Sequence, residues 1–367
     1  MKNGIERRLF IAATSQNDGK TTCSLGLVGG FSHLAQSVGF IKPVGQRYLT
    51  IDGQHIDEDS VLLQRVWGLN CPLKDMSPVA IGRNFTRRYL DNPAGIYPKL
   101  EKAIRRSFEI TAEDNDLVII EGTGHAGVGS VFDLSNAKVA RMLNAKVVIV
   151  SRGGIGGPVD QIAINQTLFE KEGVPVIGVV ANKVAPDKLE QTRDYLTKAL
   201  QRQGLELLGV IPYTCRLTWP NIGNIAEFLG AEVLNGEDHL TNEVAEIVVG
   251  AMTPHNAVQF LTNGSLLIVP GDRDDIVLAA VTMELLRKDL KISGIVLTGD
   301  LRLAPQILDL VCRTHIPLLA VKLPTYDTAS KINDITVKIM EMDTDKIQLV
   351  TALVKKYVDV DKLWSFL

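Results

Sequence analysis

The sequence is poor in the residues that build disulfide frameworks and metal clusters. Among 367 residues there are four cysteines, Cys23, Cys71, Cys215 and Cys312, and six scattered histidines. The cysteines form no C-x-x-C pair, which excludes a disulfide scaffold and a thiolate metal site and leaves reduced thiols. An excess of charge of one sign is also missing. The net formal charge is −3 and the isoelectric point about 6.1, so there is no electrostatic case for nucleic acid or an anionic membrane as partner. No apolar run is long enough to cross a bilayer, and "MKNGIERRLF" lacks the apolar core of a leader, so the expected location is the cytoplasm. Internal repeats, low-complexity stretches and long charge runs are absent. What is present is a hydrophobic fraction of 46%, enough for an ample core, on a chain long enough for two domains.

Up to about Tyr213 the pattern alternates strand-length apolar runs with amphipathic stretches. "RLFIAAT", "VGFIKPV", "DLVIIEG", "KVVIVS", "VPVIGVVAN" and "LELLGVIPY" are the strand candidates, and "DKLEQTRDYLTKALQRQG" is a typical helix between two of them. Strands apolar on both faces and separated by helices predict an α/β fold, a mostly parallel sheet covered by helices on both faces. Ligands of such sheets sit at the carboxyl ends of the strands. The segment "TCRLTWPNIGNIAEFLGAEVLNGEDHL", with Pro220 and several glycines, interrupts this rhythm. The expected organisation is therefore a first domain over 1–215, a linker over 216–240, and a second, smaller α/β domain over 241–367 that closes with a helical tail.

The polar motifs fall at the predicted strand ends. In "FIAATSQNDGKTTCSLGLVGG" a β-type run, Leu9 to Ala13, enters a polar loop that ends in Gly19-Lys20-Thr21, and an apolar helical pattern follows. A phosphate-binding loop wraps backbone N–H groups around phosphates at a helix N-terminus. Its lysine reaches the terminal phosphates and its hydroxyl holds Mg²⁺. Thr14 stands where the strict G-x-x-x-x-G-K-[ST] pattern has its first glycine. The bland alternative is a solvated turn with a surface lysine. Lys42, in "GFIKPVGQ", ends the next strand and is expected on the same sheet edge as Lys20, suited to a nucleotide phosphate and an anionic partner. Glu121 ends the apolar run "DLVIIEG", where a carboxylate needs a partner. Asp59 opens a helical pattern in "HIDEDSVLLQRVWGL", where Asp57, Glu58 and Asp59 are equally readable as acids of a helix N-terminus. Mg²⁺ needs only one or two such carboxylates. Ser151 to Gln161, "SRGGIGGPVDQ", either lines the ligand crevice or is a tight connection with Pro158 expected at the first helical position. Asn182 offers both edges of its amide to a base, or is a turn residue. Arg83, Arg87 and Arg88 are solvated helix charges or contacts for an anionic substrate.

Taken in order, "AATSQNDGKTT", "GFIKPV", "IIEGTG" and "GVVANKV" resemble dethiobiotin synthetase and the cobyrinate diamide synthase group, whose loop has the form G-T-x-x-x-x-G-K-T. Ala13 replaces its leading glycine. "DEDSVLLQRVWGL", "NFTRRYLD" and "LGAEVLNG" are similar to the amino-terminal part of long bacterial phosphate acetyltransferases. "VPGDRDDIVLAA" followed by "GIVLTGD" resembles the DRTGG domain, with Asp272-Arg273 and Thr298-Gly299 in place and Asp300 in the position of the last glycine. The resemblance implies a P-loop NTPase-like domain binding ATP and Mg²⁺. Thr14, Asn17, Gly19, Lys20, Thr21 and Thr22 would contact phosphate, Asn182 the base, and Thr21, Asp59 and Glu121 the metal. Lys20 and Lys42 would act on the reacting phosphate, and a homodimer is implied.

The resemblance also implies what to expect of activity. The acetyl-transferring domain would follow these two, so acetyl transfer is not expected of this chain. A glutamine-hydrolysing cysteine has no candidate either, and Cys312 is expected in the core. Two functions follow: an ATP-binding regulatory or sensing module that responds to a small anionic effector, or an ATP-dependent carboxylate ligase working through an acyl phosphate.

Overall fold

The computed structural model describes residues 7–335 and 337–367, and the first six residues of the stretch read for a leader lie outside them. The first unit is built on six strands: β1 (Arg7–Ala13), β2 (Val38–Ile41), β3 (Leu117–Glu121), β4 (Lys146–Arg152), β5 (Val176–Val184) and β6 (Leu207–Pro212). They run in the order β6-β5-β4-β1-β3-β2, and every neighbouring pair is parallel. All five residues of β3 are buried, as a strand covered on both faces requires. The chain leaves β1 towards β2 on one side and later places β4 on the other. The strand order therefore reverses at β1, and a crevice opens at its carboxyl end. The helices used below are α1 (Lys20–Gly30), α2 (Glu58–Trp67), α3 (Pro93–Ala112), α4 (Gly156–Lys171) and α5 (Leu189–Gln201). Phe10, Ile120, Ile149, Phe169 and Leu200 belong to the core between sheet and helices.

The second unit is Thr214–Ile339, and it departs from the expected division first at its start. The stretch 216–240 is not a linker. It holds α6 (Ile222–Leu229) and β7 (Glu232–Asn235). Asn221 and Asn224 close α6 with a reciprocal capping box, and Gly230, at φ 61°, ends it. Gly230, one of the glycines that suggested a linker, is the C-terminal stop of a short helix, and the two Asn residues are its N-terminal cap. After β8 (Glu246–Val249), β9 (Ser265–Pro270), α7 (Asp274–Leu286), β10 (Gly294–Thr298) and β11 (Leu318–Ala320), the sheet order is β7-β11-β10-β9-β8. Strands β8 to β11 are parallel to one another, and β7 is antiparallel to β11 at the edge.

The tail gives a second correction. Helices α8 (Thr344–Tyr357) and α9 (Val360–Phe366) do not close the second unit; Met340–Leu367 belongs to the first. The reason is steric and apolar. Gly26 of α1 lies so close to Val354 that a Cβ there would collide with it and would stand only 3.2 Å from the Val350 carbonyl oxygen. Val350, Val354 and Leu363 are all buried, and the Asp359 N–H donates to the Leu208 carbonyl at 2.8 Å. Cys312 is a third correction: it is exposed, not core. It ends a seven-residue helix beginning at Pro305, past that helix's buried face. All four cysteines are free, and no described helix is long and apolar enough to cross a membrane.

Candidate functional site

The loop after β1 is anchored on the sheet at one end and by the first turn of α1 at the other. The Thr14 N–H donates to the Val150 carbonyl at 3.0 Å, and α1 opens with the Cys23 N–H on the Gly19 carbonyl at 2.9 Å. Gly19 has φ 100° and is followed by a first turn with no side-chain cap and no acid. The free N–H groups of that turn thus face outward with the positive end of the helix dipole, which is the setting an anion needs. Only glycine fits at 19, since a Cβ would run into the Asn182 amide nitrogen. Asn17, also at positive φ, offers its carbonyl to Lys183 Nζ at 2.7 Å.

Asn182, expected at a base, also holds this loop. Its Nδ2 donates to the Asp18 carbonyl at 2.9 Å and its Oδ1 accepts from the Lys183 N–H at 2.9 Å, so both edges of the amide are engaged. Ser151 brings the glycine-rich turn to the loop, its hydroxyl 3.5 Å from that of Thr14. Thr22 is half-buried in the first turn of α1. Arg83, Arg87 and Arg88 are exposed, outside the buried cluster.

Below the loop lies a buried charge cluster. The Thr21 hydroxyl donates to Glu121 Oε1 at 2.9 Å. Lys42 is 8% exposed and sits where three carboxylates converge. Its Nζ is 3.1 Å from Asp57 Oδ1 and 3.5 Å from Glu121 Oε1, and it bonds Asp59 Oδ2. Asp59, expected on a metal ion, is here paired with the Lys42 ammonium group. Asp57 caps α2 by accepting from the Asp59 N–H at 3.0 Å, and its own N–H donates to the Ser77 hydroxyl at 2.9 Å.

The electrostatics follow from four buried acids, Asp18, Asp57, Asp59 and Glu121, facing two buried lysines, Lys20 and Lys42. Burial pulls the Lys42 ammonium down, but Asp59, Glu121 and Asp57 together outweigh it and hold its pKa above the usual lysine value. Lys20 goes the other way: burial, with a smaller contribution from Lys42, lowers it despite Glu121. Burial and repulsion from Asp59 push Asp57 up to about 6, against the pull of Lys42. Glu121 is raised for the same reasons. One lysine cannot neutralise three carboxylates at once, and the surplus is negative.

That surplus decides whether Mg²⁺ fits. Glu121 Oε2 is buried with no hydrogen-bond partner among the described residues, an expensive arrangement that a cation relieves. Among the described residues no three His, Cys, Asp or Glu side chains are arranged to hold a metal by themselves. A cation here would take Glu121 and the Thr21 hydroxyl and draw its remaining oxygens from phosphate and water, the habit of Mg²⁺. The residues fit on those terms.

The motif reading did not assign Asp18 or Lys183. Both lie inside or beside motifs that were read, Asp18 between Asn17 and Gly19 and Lys183 next to Asn182. Their sequence signal is a charge at a strand end or in a loop that carries phosphate donors.

This is a P-loop nucleotide-binding-type domain joined to a smaller α/β domain. The chain belongs to the family described as an AAA domain, whose model matches residues 7–221; a DRTGG domain model matches 224–335. It is 31% identical over 367 aligned residues to the phosphate acetyltransferase of Pseudomonas putida, covering 95% of this chain and 50% of that protein. With the phosphate acetyltransferase of Pseudomonas aeruginosa the identity is 32%, covering 96% and 51%. The chain thus spans about half the length of these relatives and corresponds to their amino-terminal part. Among solved structures, the McdA–ATP complex of Cyanothece aligns at TM-score 0.38 and 16% identity, covering 58% of this chain and 85% of that one.

Proposed function

We propose that the chain binds Mg–ATP at the loop 14–22 and works as a nucleotide-responsive regulatory module. The observation that carries this reading is the pairing of an uncapped first turn of α1 behind a left-handed Gly19 with the Thr21–Glu121 contact beneath it. The first supplies anion donors, the second a cation seat, and Mg–ATP brings both charges. Lys20, at the start of α1, would meet the terminal phosphates, and Glu121 with Thr21 would face the Mg²⁺ that screens them.

The ligase reading draws less support. It requires Lys42 as a charge available to a transferring phosphoryl group, and Lys42 is held among Asp57, Asp59 and Glu121. A sensor needs only two states of different nucleotide affinity. The named activity of the relatives, phosphate acetyltransferase, makes enzymes of acetyl and phosphate transfer the class of protein whose output such a module would adjust.

Calorimetry with Mg–ATP on wild type and Lys20→Ala, followed by phosphate release on the same samples, tests the reading. Wild type is expected to bind, Lys20→Ala to lose binding, and phosphate to stay unreleased without a second component. Absence of binding by wild type in the low-millimolar range would sink the proposal.

A further inference from the structure

The acid inside the phosphate loop has no part in the reading above. Asp18 is 1% exposed. Its Oδ2 accepts from the Thr14 hydroxyl at 2.6 Å and from the Ser15 N–H at 2.6 Å, while Oδ1 is buried with no hydrogen-bond partner among the described residues. A hydroxyl and a backbone N–H of such a loop are groups that could otherwise donate to a bound anion. Here one oxygen of the chain's own carboxylate takes both. The carboxyl group is a delocalised anion like the phosphate it stands in for, and its second oxygen is left unsatisfied, which a purely bracing contact has no need of. The Asp18 backbone is held as well, its carbonyl accepting from Asn182 Nδ2.

We propose that Asp18 self-caps the phosphate loop and sets its affinity: a triphosphate must displace the Asp18 carboxylate or bind beside it against like-charge repulsion. The site then fills only at nucleotide concentrations higher than an uncharged residue at 18 would allow, and Asp18 is the residue that tunes the response. This rests on the nucleotide reading above, and the experiment separates the two.

The test is calorimetry on full-length wild type, Asp18→Asn and Asp18→Ala, with Mg–ATP and, separately, pyrophosphate as titrants. Asp18→Asn keeps an acceptor for Thr14 and Ser15 and removes only the charge. Asp18→Ala removes charge and brace together without adding a buried amide, which covers the case of a destabilised Asn variant. Thermal unfolding checks that each is folded. At least tenfold tighter Mg–ATP binding by both variants is the expected result. If wild type binds ATP and neither variant binds more tightly, the nucleotide reading stands and self-capping falls. If no form binds ATP but Asp18→Asn takes up pyrophosphate where wild type does not, self-capping stands and the nucleotide reading falls. If the variants take up neither ligand, self-capping falls with it.

Discussion

A single methyl group at position 19 would meet two obstacles at once. Gly19 has φ 100°, a conformation that L side chains rarely adopt, and the space a Cβ would need is filled by the Asn182 amide. Gly19→Ala is therefore expected to cost about 1–3 kcal/mol of stability, read as a lower midpoint in urea, and to displace the Asn182–Asp18 bond that shapes the loop. Glu121 supports a different kind of prediction. If it seats the metal, Glu121→Gln weakens Mg–ATP binding about tenfold (~1.4 kcal/mol) and leaves binding of metal-free ATP unchanged; an equal loss in both titrations would assign Glu121 to the fold alone. At this scale the sequence was informative where chemistry is local. Gly19-Lys20-Thr21 announces itself because loop, lysine and hydroxyl are contiguous. The pairing of Lys42 with Asp59 does not, because the two residues lie 17 positions apart in sequence and meet only through the fold.

Among the elements, α1 does more than carry the loop. Its Gly26 and Gly29 make a shallow face on which α8 lies, with Val354 against Gly26 and Thr351 with the Trp67 ring against Gly29. Larger residues at 26 or 29 would push α8 away. Val354 is 1% exposed, and Val354→Ala would leave a void over Gly26, so a loss of about 1–3 kcal/mol is expected in urea unfolding. If the loop is positioned by this packing, the same substitution speeds hydrogen exchange in peptides spanning 14–26 as well as in α8; acceleration confined to α8 would show that the loop is positioned by the sheet alone. The strands of the first unit were legible because burial on both faces writes itself as an unbroken apolar run, as in Leu117–Glu121. Helix α6 was not, because its capping residues Asn221 and Asn224 and its terminating Gly230 are also loop-forming residues. In eight residues there is little periodicity to outweigh them.

For the whole molecule, the decisive fact is that the first unit is made of two segments, ending at Tyr213 and resuming at Met340. A linear reading assigns each stretch to the domain it follows, so the tail was given to the second unit. Nothing in "DKIQLVTALVKKYVDVDKLWSFL" names the glycine face of α1 as its partner, since complementary packing is a property of two surfaces and not of either alone. The consequence is testable without reference to any ligand. The tail is tied to its unit by buried Val350, Val354 and Leu363, by Lys146 Nζ on the Phe366 carbonyl at 2.6 Å, and by the Phe31 and Trp364 rings at 5.8 Å. Burial of an aliphatic side chain contributes roughly 1.5–3 kcal/mol, so these contacts should hold without the covalent connection. A protease site placed between Ile339 and Met340 and cut in the folded protein is expected to leave Met340–Leu367 bound through native gel filtration and to release it in denaturant. The cut chain, once unfolded and diluted back, should recover far less of the first unit than the intact one. The second unit acts as the tether that brings the tail within reach of α1, and cutting turns an intramolecular contact into a bimolecular one. Loss of the tail from the native cut protein would mean that the return of the chain, and not its packing, is what holds α8 in place.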